Sequence, residues 1–278
     1  MAASVRWAFN FGKWEPSEQE FLFASSCLQL EEKNRIGKFV FKKDVKASLT
    51  GRLLIRKFIS ECTGLAYNSI HLSKDENEKP IYKNKPGSPK INFNVSHHGS
   101  YTVLAGEVGD RCVGVDVMKL EYTGGKTLEE FFRLMNRNFS PSEWRQIKGN
   151  PHCTESNQIT NFCRTWALKE SYVKAIGKGL AIDLSSLNFS FKSNLQIDRV
   201  ITDTTLSIDC ENQPWIFEES LLDLSHCVAV ALNHQQCDTN SSLEPTLFTK
   251  LDCKNLFETA EKIIPEDLEY CKEYFKKS

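Results

Sequence analysis

Two long helical segments, each followed by a run of short strand-like segments, constrain the possible folds most. The first helix is predicted over residues 44–62, where apolar side chains recur on neighbouring turns and Gly64 lies just past the end. The second is predicted over residues 157–176 and ends at Gly177. This repeated order predicts an α+β fold of two similar α/β halves, each with a helix packed on a small, mostly antiparallel sheet.

The length and one glycine pair suggest where the halves divide. The chain has 278 residues, enough for two domains of about 100–150 residues each. Gly124 and Gly125 interrupt the pattern and are typical of a connection between domains. We predict an N-terminal half over residues 1–122, a C-terminal half over 123–233, and a linker with a C-terminal tail over 234–278. The tail contains one amphipathic helix, and the sequence does not decide whether it packs on the rest of the protein.

Shorter elements fill each half. In the first half, residues 16–37 are predicted to be helical, and an antiparallel meander is predicted from three strands at residues 90–96, 101–108 and 112–118. In the second half, Ser140 is predicted to cap a helix with Pro141 at its first position and Glu143 at its third. The strands expected there lie near residues 187–191, 205–208, 215–219 and 227–232.

Composition and charge argue against several classes of protein. The hydrophobic fraction of 40% is ordinary for a soluble globular protein, and a net charge of -1 disfavours a dominant nucleic-acid-binding surface. The ten cysteines form no Cys-x-x-Cys pair, so a structural zinc site is not expected, and their single placement is typical of a reducing compartment. No apolar run approaches the roughly 20 residues of a membrane helix, and the N-terminus does not resemble a secretory signal. The predicted location is the cytosol.

The strand over residues 112–118 displays a carboxylate, Asp116, between valines. Because side chains alternate along a strand, the three valines are predicted to face the core and Asp116 the opposite side. A carboxylate held on a rigid strand suits a metal ion. The alternative is a plain solvent-facing aspartate on a half-exposed sheet.

The long second helix carries a second candidate group. Glu170 and Lys174 lie four residues apart and share a face with Trp166. The alternative is a surface ion pair contributing about 0.3–0.5 kcal/mol. Because the helix is predicted to be mostly buried, a glutamate beside a lysine indicates a site for a metal and a phosphate. His97, at the end of a strand, could donate to a phosphate or cap its own strand.

Three segments together resemble the signature of the 4′-phosphopantetheinyl transferase superfamily. They are NFNVSHHG at residues 92–99, VGVDVM at 113–118 and WALKESYVK at 166–174. The third is the most specific, since five of its nine positions match the family pattern Trp-x-x-Lys-Glu-Ser-x-x-Lys. Further segments resemble the animal branch of the family, and the resemblance covers most of residues 4–232. These segments are VRWAF at residues 5–9, EKNRIG at 32–37 and GRLLIRK at 51–57.

The resemblance implies a fold and an activity. The two halves would be related by a pseudo-twofold axis, with the active site between them. The enzyme would be a monomer of the holo-[acyl-carrier-protein] synthase type. It would transfer the 4′-phosphopantetheine moiety of coenzyme A to a serine of acyl or peptidyl carrier domains, depend on Mg²⁺, and release adenosine 3′,5′-bisphosphate.

The implied acceptors are acidic, helical carrier domains. They would include those of fatty acid synthase and of the aminoadipate-semialdehyde dehydrogenase type. By electrostatic complementarity, Arg52, Arg56 and Lys57 are expected to face such an acceptor.

The resemblance also assigns roles to single residues. Asp116 and Glu170 match the Mg²⁺ ligands, and Glu170, or a metal-bound water beside it, is the candidate general base. Lys174 matches the lysine near the coenzyme A pyrophosphate. The set expected to hold the nucleotide and its 3′-phosphate is Arg35, Lys74, Lys79, Asn94, Ser96 and His97.

One departure from the family pattern concerns the third metal ligand. Many bacterial members have a second acid two residues after the aspartate, where this chain has Met118. In the animal branch, a side chain just after the Ser-His pair helps to complete the metal shell, and here that residue is His98. Imidazole is a poorer Mg²⁺ ligand than oxygen. His98 therefore contributes directly or through water, or it has another role.

Three alternative functions stay open on sequence alone. An inactive coenzyme A-binding relative is disfavoured because both carboxylates are present. An acetyltransferase is disfavoured because Gly177 and Gly179 follow a helix, whereas a pyrophosphate-binding loop opens one. A carrier-protein scaffold without chemistry would need no Mg²⁺.

Overall fold

The structure is a computed structural model, which describes residues 4–76, 78–83, 90–122, 125–177, 179, 182–233 and 244–278. The predicted connection at Gly124 and most of the predicted linker, residues 234–243, lie outside the described residues. The chain divides into two compact units. The first unit combines Met1–Asp110 with Phe248–Ser278, and the second unit is Arg111–Leu247.

The described strands and helices follow each other along the chain. The strands are β1 (Ser4–Asn10), β2 (Leu72–Lys74), β3 (Pro80–Tyr82), β4 (Ile91–His98), β5 (Tyr101–Val108), β6 (Val113–Lys119), β7 (Asn188–Ser190), β8 (Thr205–Ile208), β9 (Glu211–Asn212), β10 (Trp215–Asp223), β11 (His226–Asn233) and β12 (Thr249–Leu251). The helices are α1 (Glu18–Ser26), α2 (Leu30–Gly37), α3 (Lys42–Thr63), α4 (Leu128–Met135), α5 (Pro141–Lys148), α6 (Glu155–Ile176), α7 (Cys253–Phe257) and α8 (Leu268–Lys276).

The first unit places α3 on a four-stranded sheet. The strand order is β12-β1-β5-β4, in which β12 runs parallel to β1 and the other neighbours are antiparallel. Helix α3 contributes fully buried side chains such as Leu53 and Phe58 to the core of this unit. The predicted end of this helix is confirmed: Gly64 adopts a φ of 69° and its N–H donates to the carbonyl of Ser60.

The second unit places α6 on the antiparallel sheet β10-β11-β6 and also contains the antiparallel ribbon β7-β8-β9. The predicted cap of α5 is confirmed, since Ser140 Oγ accepts from the N–H of Glu143 at 3.2 Å and Glu143 Oε2 accepts from the N–H of Ser140 at 2.8 Å. Helix α6 ends at Gly177, as predicted. Each unit contains sheets and helices, so the predicted α+β class is confirmed.

The predicted meander is wrong at its third strand. Strands β4 and β5 form the expected hairpin, but β1 occupies the other edge of β5 over its full length. A strand has only two edges, so β6 pairs with β11 of the second unit instead. The pairing partner lies more than a hundred residues away along the chain, which local alternation of side chains does not predict.

The predicted helix over residues 16–37 is two helices. Helix α1 ends at Ser26, and α2 begins at Leu30 after Gln29, which has an extended backbone. At this break Gln29 is the N-cap of α2: its N–H donates to Glu32 Oε2 at 3.2 Å, and its side chain bonds Leu72.

The C-terminal segment belongs to the first unit. Strand β12 pairs with β1, and the Tyr274 ring of α8 stacks on Phe21 of α1 with ring centroids 3.8 Å apart. The compact units therefore differ from the division into 1–122, 123–233 and 234–278 at β6 and at this segment.

Candidate active site

Strand β6 and helix α6 are in direct contact at Gly114. A Cβ atom at this position would lie 2.0 Å from the carbonyl oxygen of Ser171 and 2.5 Å from the backbone nitrogen of Ala175. Only glycine permits this approach, which explains the glycine of the Gly-x-Asp sequence. The contact places Asp116, two residues along β6, beneath the second half of α6.

The prediction that the valines of β6 face the core is confirmed, since Val113, Val115 and Val117 are at most 3% exposed, but the opposite face is buried as well. Gly114 and Asp116 pair in register with Ala231 and Ala229 of β11, and these alanines belong to the apolar core of the second unit. The face with Asp116 therefore lies under α6, and only 6% of this residue is exposed. Alternation predicts that side chains point to two faces, but it does not identify what covers each face. The alternative of a solvent-facing aspartate is excluded.

Lys174 of α6 contacts the β6 carboxylate. Its Nζ donates to Asp116 Oδ1 at 2.6 Å and to the Val115 carbonyl oxygen at 3.4 Å. The Lys174 side chain is 28% exposed. This ion pair joins β6 to α6, and its lysine is partly exposed to solvent. It differs from the alternative considered from the sequence, a surface ion pair between Glu170 and Lys174 within one helix.

Glu170 is half-buried one turn before Lys174. Burial raises the pKa of its carboxyl above the ordinary value, repulsion from Asp116 raises it further, and Lys174 opposes both effects. Two carboxylates that repel each other, with one lysine beside them, form a site where a divalent cation would be favourable. Mg²⁺ prefers oxygen ligands and is commonly held by one or two carboxylates, so these residues fit that ion.

A third protein ligand is not part of this cluster. Within the described ranges, no group of three or more His, Cys, Asp and Glu side chains is placed to hold a metal ion. The contribution of His98, directly or through water, stays a prediction.

Lys169, adjacent to Glu170 in the same motif, has a role that sequence reasoning missed. Its side chain is fully buried, and Nζ lies 2.9 Å from Glu143 Oε1 of α5. Nζ also donates to the carbonyl oxygens of Leu184 at 2.8 Å and Leu187 at 2.6 Å. Burial lowers the pKa of Lys169, and Glu143 opposes that shift. Lys169 therefore joins α6 to α5 and to the turn before β7. The sequence signal that could have indicated this role is the fixed lysine of the family pattern.

Most of the predicted nucleotide-binding residues gather at two adjoining pockets of the first unit. The first pocket is a cleft with a cavity volume of about 160 Å³. Helices α2 and α3, strand β4 and the β2–β3 hairpin line it, and the predicted residues among its lining are Arg35, Lys79, Asn94 and His97. The second pocket includes Arg35 and Lys74. Ser96 and His98 are not among the lining residues of either pocket.

The wall between the two pockets is rich in guanidinium groups. Arg35 donates to Ser48 Oγ at 2.9 Å. Arg52, which lines both pockets, has its Nε 3.2 Å from Glu32 Oε1. Burial lowers the pKa of Arg52, while Glu32 opposes this shift and Arg35 and Arg56 add to it. Arg35 and Arg52 line both pockets and offer them guanidinium groups, which suit phosphate.

The expectation that Arg52, Arg56 and Lys57 face an acceptor is wrong. All three side chains are buried. Arg56 donates to the carbonyl oxygen of Ile70 at 2.7 Å, and Lys57 bonds Glu258 at 3.2 Å. Their charges are used inside the first unit and do not form an exposed docking surface.

Comparisons with known proteins agree with this geometry. Residues 12–109 match the family described as 4′-phosphopantetheinyl transferase, N-terminal, and residues 112–231 match the 4′-phosphopantetheinyl transferase superfamily. The chain is 42% identical over 276 residues to the L-aminoadipate-semialdehyde dehydrogenase-phosphopantetheinyl transferase of Xenopus laevis, covering 96% of this chain and 90% of the relative.

Two further relatives extend the comparison. The human protein of the same name is 42% identical over 275 residues, covering 95% of this chain and 88% of the relative. The 4′-phosphopantetheinyl transferase gsp of Aneurinibacillus migulanus is 29% identical over 237 residues, covering 85% and 86%. The chain therefore belongs to the 4′-phosphopantetheinyl transferase superfamily and is an enzyme of that class.

Proposed function

We propose that this enzyme transfers 4′-phosphopantetheine from coenzyme A to a serine hydroxyl of acyl carrier domains, in a Mg²⁺-dependent reaction that releases adenosine 3′,5′-bisphosphate. The observation that carries the proposal is the cluster of Asp116, Glu170 and Lys174. It combines a buried carboxylate, a second carboxylate with a raised pKa and a partly exposed lysine.

Asp116 and Glu170 would hold the metal ion. Bound there, Mg²⁺ supplies Lewis-acid polarisation of the pyrophosphate and a template for its oxygens. Repulsion from Asp116 contributes to the raised pKa of Glu170, and a cation bound by both carboxylates would offset that repulsion.

Glu170 is also the proposed general base. In the reaction, the serine oxygen forms a bond to the β-phosphorus of coenzyme A, and the bond from that phosphorus to the bridging oxygen breaks. The serine proton passes to Glu170, since the other carboxylate of this cluster, Asp116, already accepts from Lys174. Lys174 is placed to neutralise the phosphate that leaves, since its Nζ already lies beside this cluster.

The nucleotide end of coenzyme A would occupy the pockets of the first unit. Arg35, Lys79 and His97 supply positive or donor groups there, and Asn94 supplies an amide. Lys74 forms an ion pair with Glu78 of its own hairpin, so a bound phosphate would compete with that glutamate. Ser96 lines neither pocket, so it would contribute only through its place in strand β4, which also carries Asn94 and His97.

Several finer expectations stay predictions. They concern the carrier domains of fatty acid synthase and aminoadipate-semialdehyde dehydrogenase type as acceptors, the monomeric state, the cytosolic location, and a pseudo-twofold relation with one active site between the halves. For the described residues, no helix has both the length and the apolar character required to span a bilayer.

Mass spectrometry tests the proposal directly. A purified apo acyl carrier domain is incubated with this protein, coenzyme A and Mg²⁺, beside a Glu170→Gln variant and a metal-free control. We expect the carrier to gain one phosphopantetheine, about 340 Da, only with the active enzyme and metal. Adenosine 3′,5′-bisphosphate should form in equal amount.

The outcomes separate the candidate functions. Transfer without metal would contradict the role of Asp116 and Glu170 as ligands. Coenzyme A binding without transfer to several carrier domains would leave a binding module. Transfer by Glu170→Gln at the unaltered rate would exclude Glu170 as base.

A further inference from the structure

The two predicted nucleotide-binding lysines belong to one small hairpin. Strands β2 and β3 have three residues each and pair from Leu72↔Tyr82 to Lys74↔Pro80. In the described part of the chain, this ribbon joins no larger sheet. An isolated two-stranded hairpin is marginally stable in water, so its position depends on attachments to the rest of the unit.

Gln29 provides such an attachment at the start of α2. Its Nε2 donates to the carbonyl oxygen of Leu72 at 3.1 Å, and its Oε1 accepts from the N–H of Leu72 at 2.7 Å. The side-chain amide thus makes both main-chain bonds that a neighbouring strand would make. Gln29 is buried, so these bonds are shielded from competing water.

The orientation of this amide is fixed by its neighbours. Arg56 donates from Nη2 to Gln29 Oε1 at 2.6 Å, and because a guanidinium can only donate, the contacting amide atom must be the oxygen. Arg56 in turn donates from Nη1 to the carbonyl oxygen of Ile70. Gln29 Nε2 also donates to Glu31 Oε1 at 2.8 Å. The amide is therefore saturated and held in one orientation.

The attachment of Leu72 to Gln29 bears on both lysines of the hairpin. Asp75 closes the hairpin, since its N–H donates to the Lys79 carbonyl oxygen at 3.0 Å and its Oδ1 accepts from the Lys79 N–H at 2.9 Å. Asp75 thus links Lys79 to strand β2, which carries Leu72 and Lys74. Gln29, Leu72 and Lys74 line the same pocket as Arg35 of α2.

We infer that Gln29 is a positioning residue for substrate binding. It holds the β2–β3 hairpin against α2, so that Lys74 and Lys79 stand beside Arg35 where the phosphates at the nucleotide end of coenzyme A bind. This inference rests on the proposed function, and it adds a residue that the family pattern did not indicate. Gln29 contributes through placement and does not itself contact the reacting atoms.

The test is a Gln29→Met variant, which keeps the length of the side chain and removes the amide. We expect KM for coenzyme A to rise about tenfold, with kcat at saturating substrate within about twofold of the unaltered enzyme, because ground-state placement is lost and the reacting groups are untouched. KM for dephospho-coenzyme A, which lacks the 3′-phosphate, should change less than about threefold. An equal rise for both substrates, or no rise, would overturn the inference.

Hydrogen–deuterium exchange provides a second readout. In Gln29→Met, amides of residues 70–76 should exchange faster than in the unaltered protein, while those of α3 should not change. Unchanged exchange in residues 70–76 would contradict the fastening role. If the methionine variant fails to fold, Gln29→Asn tests the same point, since its shorter stem keeps the amide but cannot reach Leu72 and Arg56 together.

A matched control separates placement from general destabilisation. Ser60→Ala removes one side-chain bond, to the Leu65 carbonyl at the end of α3, and lines neither pocket. Its KM for coenzyme A should not change, and an equal rise there would overturn the inference. If the unaltered enzyme transfers phosphopantetheine but Gln29→Met shows an unchanged KM, only the role of Gln29 fails. If the unaltered enzyme transfers nothing, the proposed function fails.

Discussion

Helix α6 carries two lysines five residues apart, and each forms an ion pair with a carboxylate of another element. The Lys169–Glu143 pair has both side chains fully buried. In the Lys174–Asp116 pair, the lysine side chain is 28% exposed and the aspartate side chain 8%. Both pairs join a lysine of the same helix to a carboxylate, so the difference lies mainly in the surroundings.

The surroundings decide which pair can take part in chemistry. Lys169 is saturated by Glu143 and two carbonyl oxygens, and no substrate can reach it. Lys174 lies beside a second carboxylate, Glu170, and its side chain is partly exposed to solvent. A sealed ion pair stabilises an arrangement of helices, whereas a partly open one can exchange its partner for a phosphate or a metal ion.

The largest expected effect is on catalysis, from Glu170→Gln. We expect kcat for carrier modification to fall roughly 10²–10⁴-fold, because the proton acceptor and one metal ligand are lost together. Because Glu170 lies on the partly exposed side of α6, the variant should stay folded. Unfolding of the variant would contradict the distinction between the sealed and the partly open ion pair. Circular dichroism and thermal unfolding, measured beside the transfer assay, distinguish the two results.

The raised pKa of Glu170 also predicts how this variant responds to pH. In the metal-free protein, ionised Glu170 is unfavourable in the folded state because of burial and Asp116, so stability falls as the pH rises through the raised pKa. At pH 7 the Glu170→Gln variant should therefore have the higher Tm. The advantage should vanish as the pH falls towards the ordinary carboxyl value of about 4.5. A constant difference across this range would contradict the sign of the shift.

The largest expected effect on stability comes from Lys169→Met. This change leaves Glu143 charged and buried, which we expect to cost about 3–5 kcal/mol in the free energy of unfolding. Denaturation by urea measures it. The double variant Lys169→Met/Glu143→Gln should recover part of the loss, since no buried charge remains and the amide oxygen can still accept from the Ser140 N–H. A double variant worse than Lys169→Met alone would contradict that explanation.

Gly114→Ala should have an intermediate effect. Its added Cβ would meet the Ser171 carbonyl oxygen at 2.0 Å, so α6 must move away from β6, at about 1–3 kcal/mol of stability. Because Lys174 and Asp116 lie on opposite sides of this contact, transfer should fall as well. Gly114→Ser, which adds a further atom, should lose more of both, and a serine variant more stable than the alanine variant would argue against steric contact.

Lys174→Met should have the smallest effect on stability. Its partly exposed ion pair is expected to contribute no more than about 1 kcal/mol, well below that of Lys169. For activity, we expect kcat/KM for coenzyme A to fall about tenfold, because the pyrophosphate loses a positive neighbour. Lys174→Arg should retain most of the activity. A stability loss equal to that of Lys169→Met would remove the distinction between the two pairs.

Local features of the fold could be predicted from the sequence. The helix around residues 44–62, the capped α5, the end of α6 at Gly177 and the positions of β4 to β6, β7, β8, β10 and β11 follow from periodicity and caps, which depend on neighbouring residues. Strands β1 and β12 were not predicted. The pairing of β6 with β11 could not be predicted in this way, because it depends on which strand edges remain available after β1 pairs with β5.

The candidate site was predictable in its residue types but not in its surroundings. The motif indicated Asp116, Glu170 and Lys174, and the structure brings the three together. Burial reversed the interpretation of Arg52 and Arg56, since a charged residue on a helix is usually solvated and only tertiary partners such as Glu32 and Gln29 make the buried position favourable. The role of Gln29 could not be predicted from the sequence. Its side-chain amide makes the bonds of a neighbouring strand only through its contact with Leu72, which the sequence does not reveal.

Strand β12 on β1 has a consequence for synthesis on the ribosome. The second unit is continuous along the chain and can fold once residue 247 has emerged, whereas β1 lacks its outer neighbour until residues 249–251 follow. At ordinary elongation rates, roughly 10–30 s separate the emergence of residue 110 from that of residue 278. During that interval the nascent chain presents an unpaired strand edge, which is a natural point of contact for chaperones.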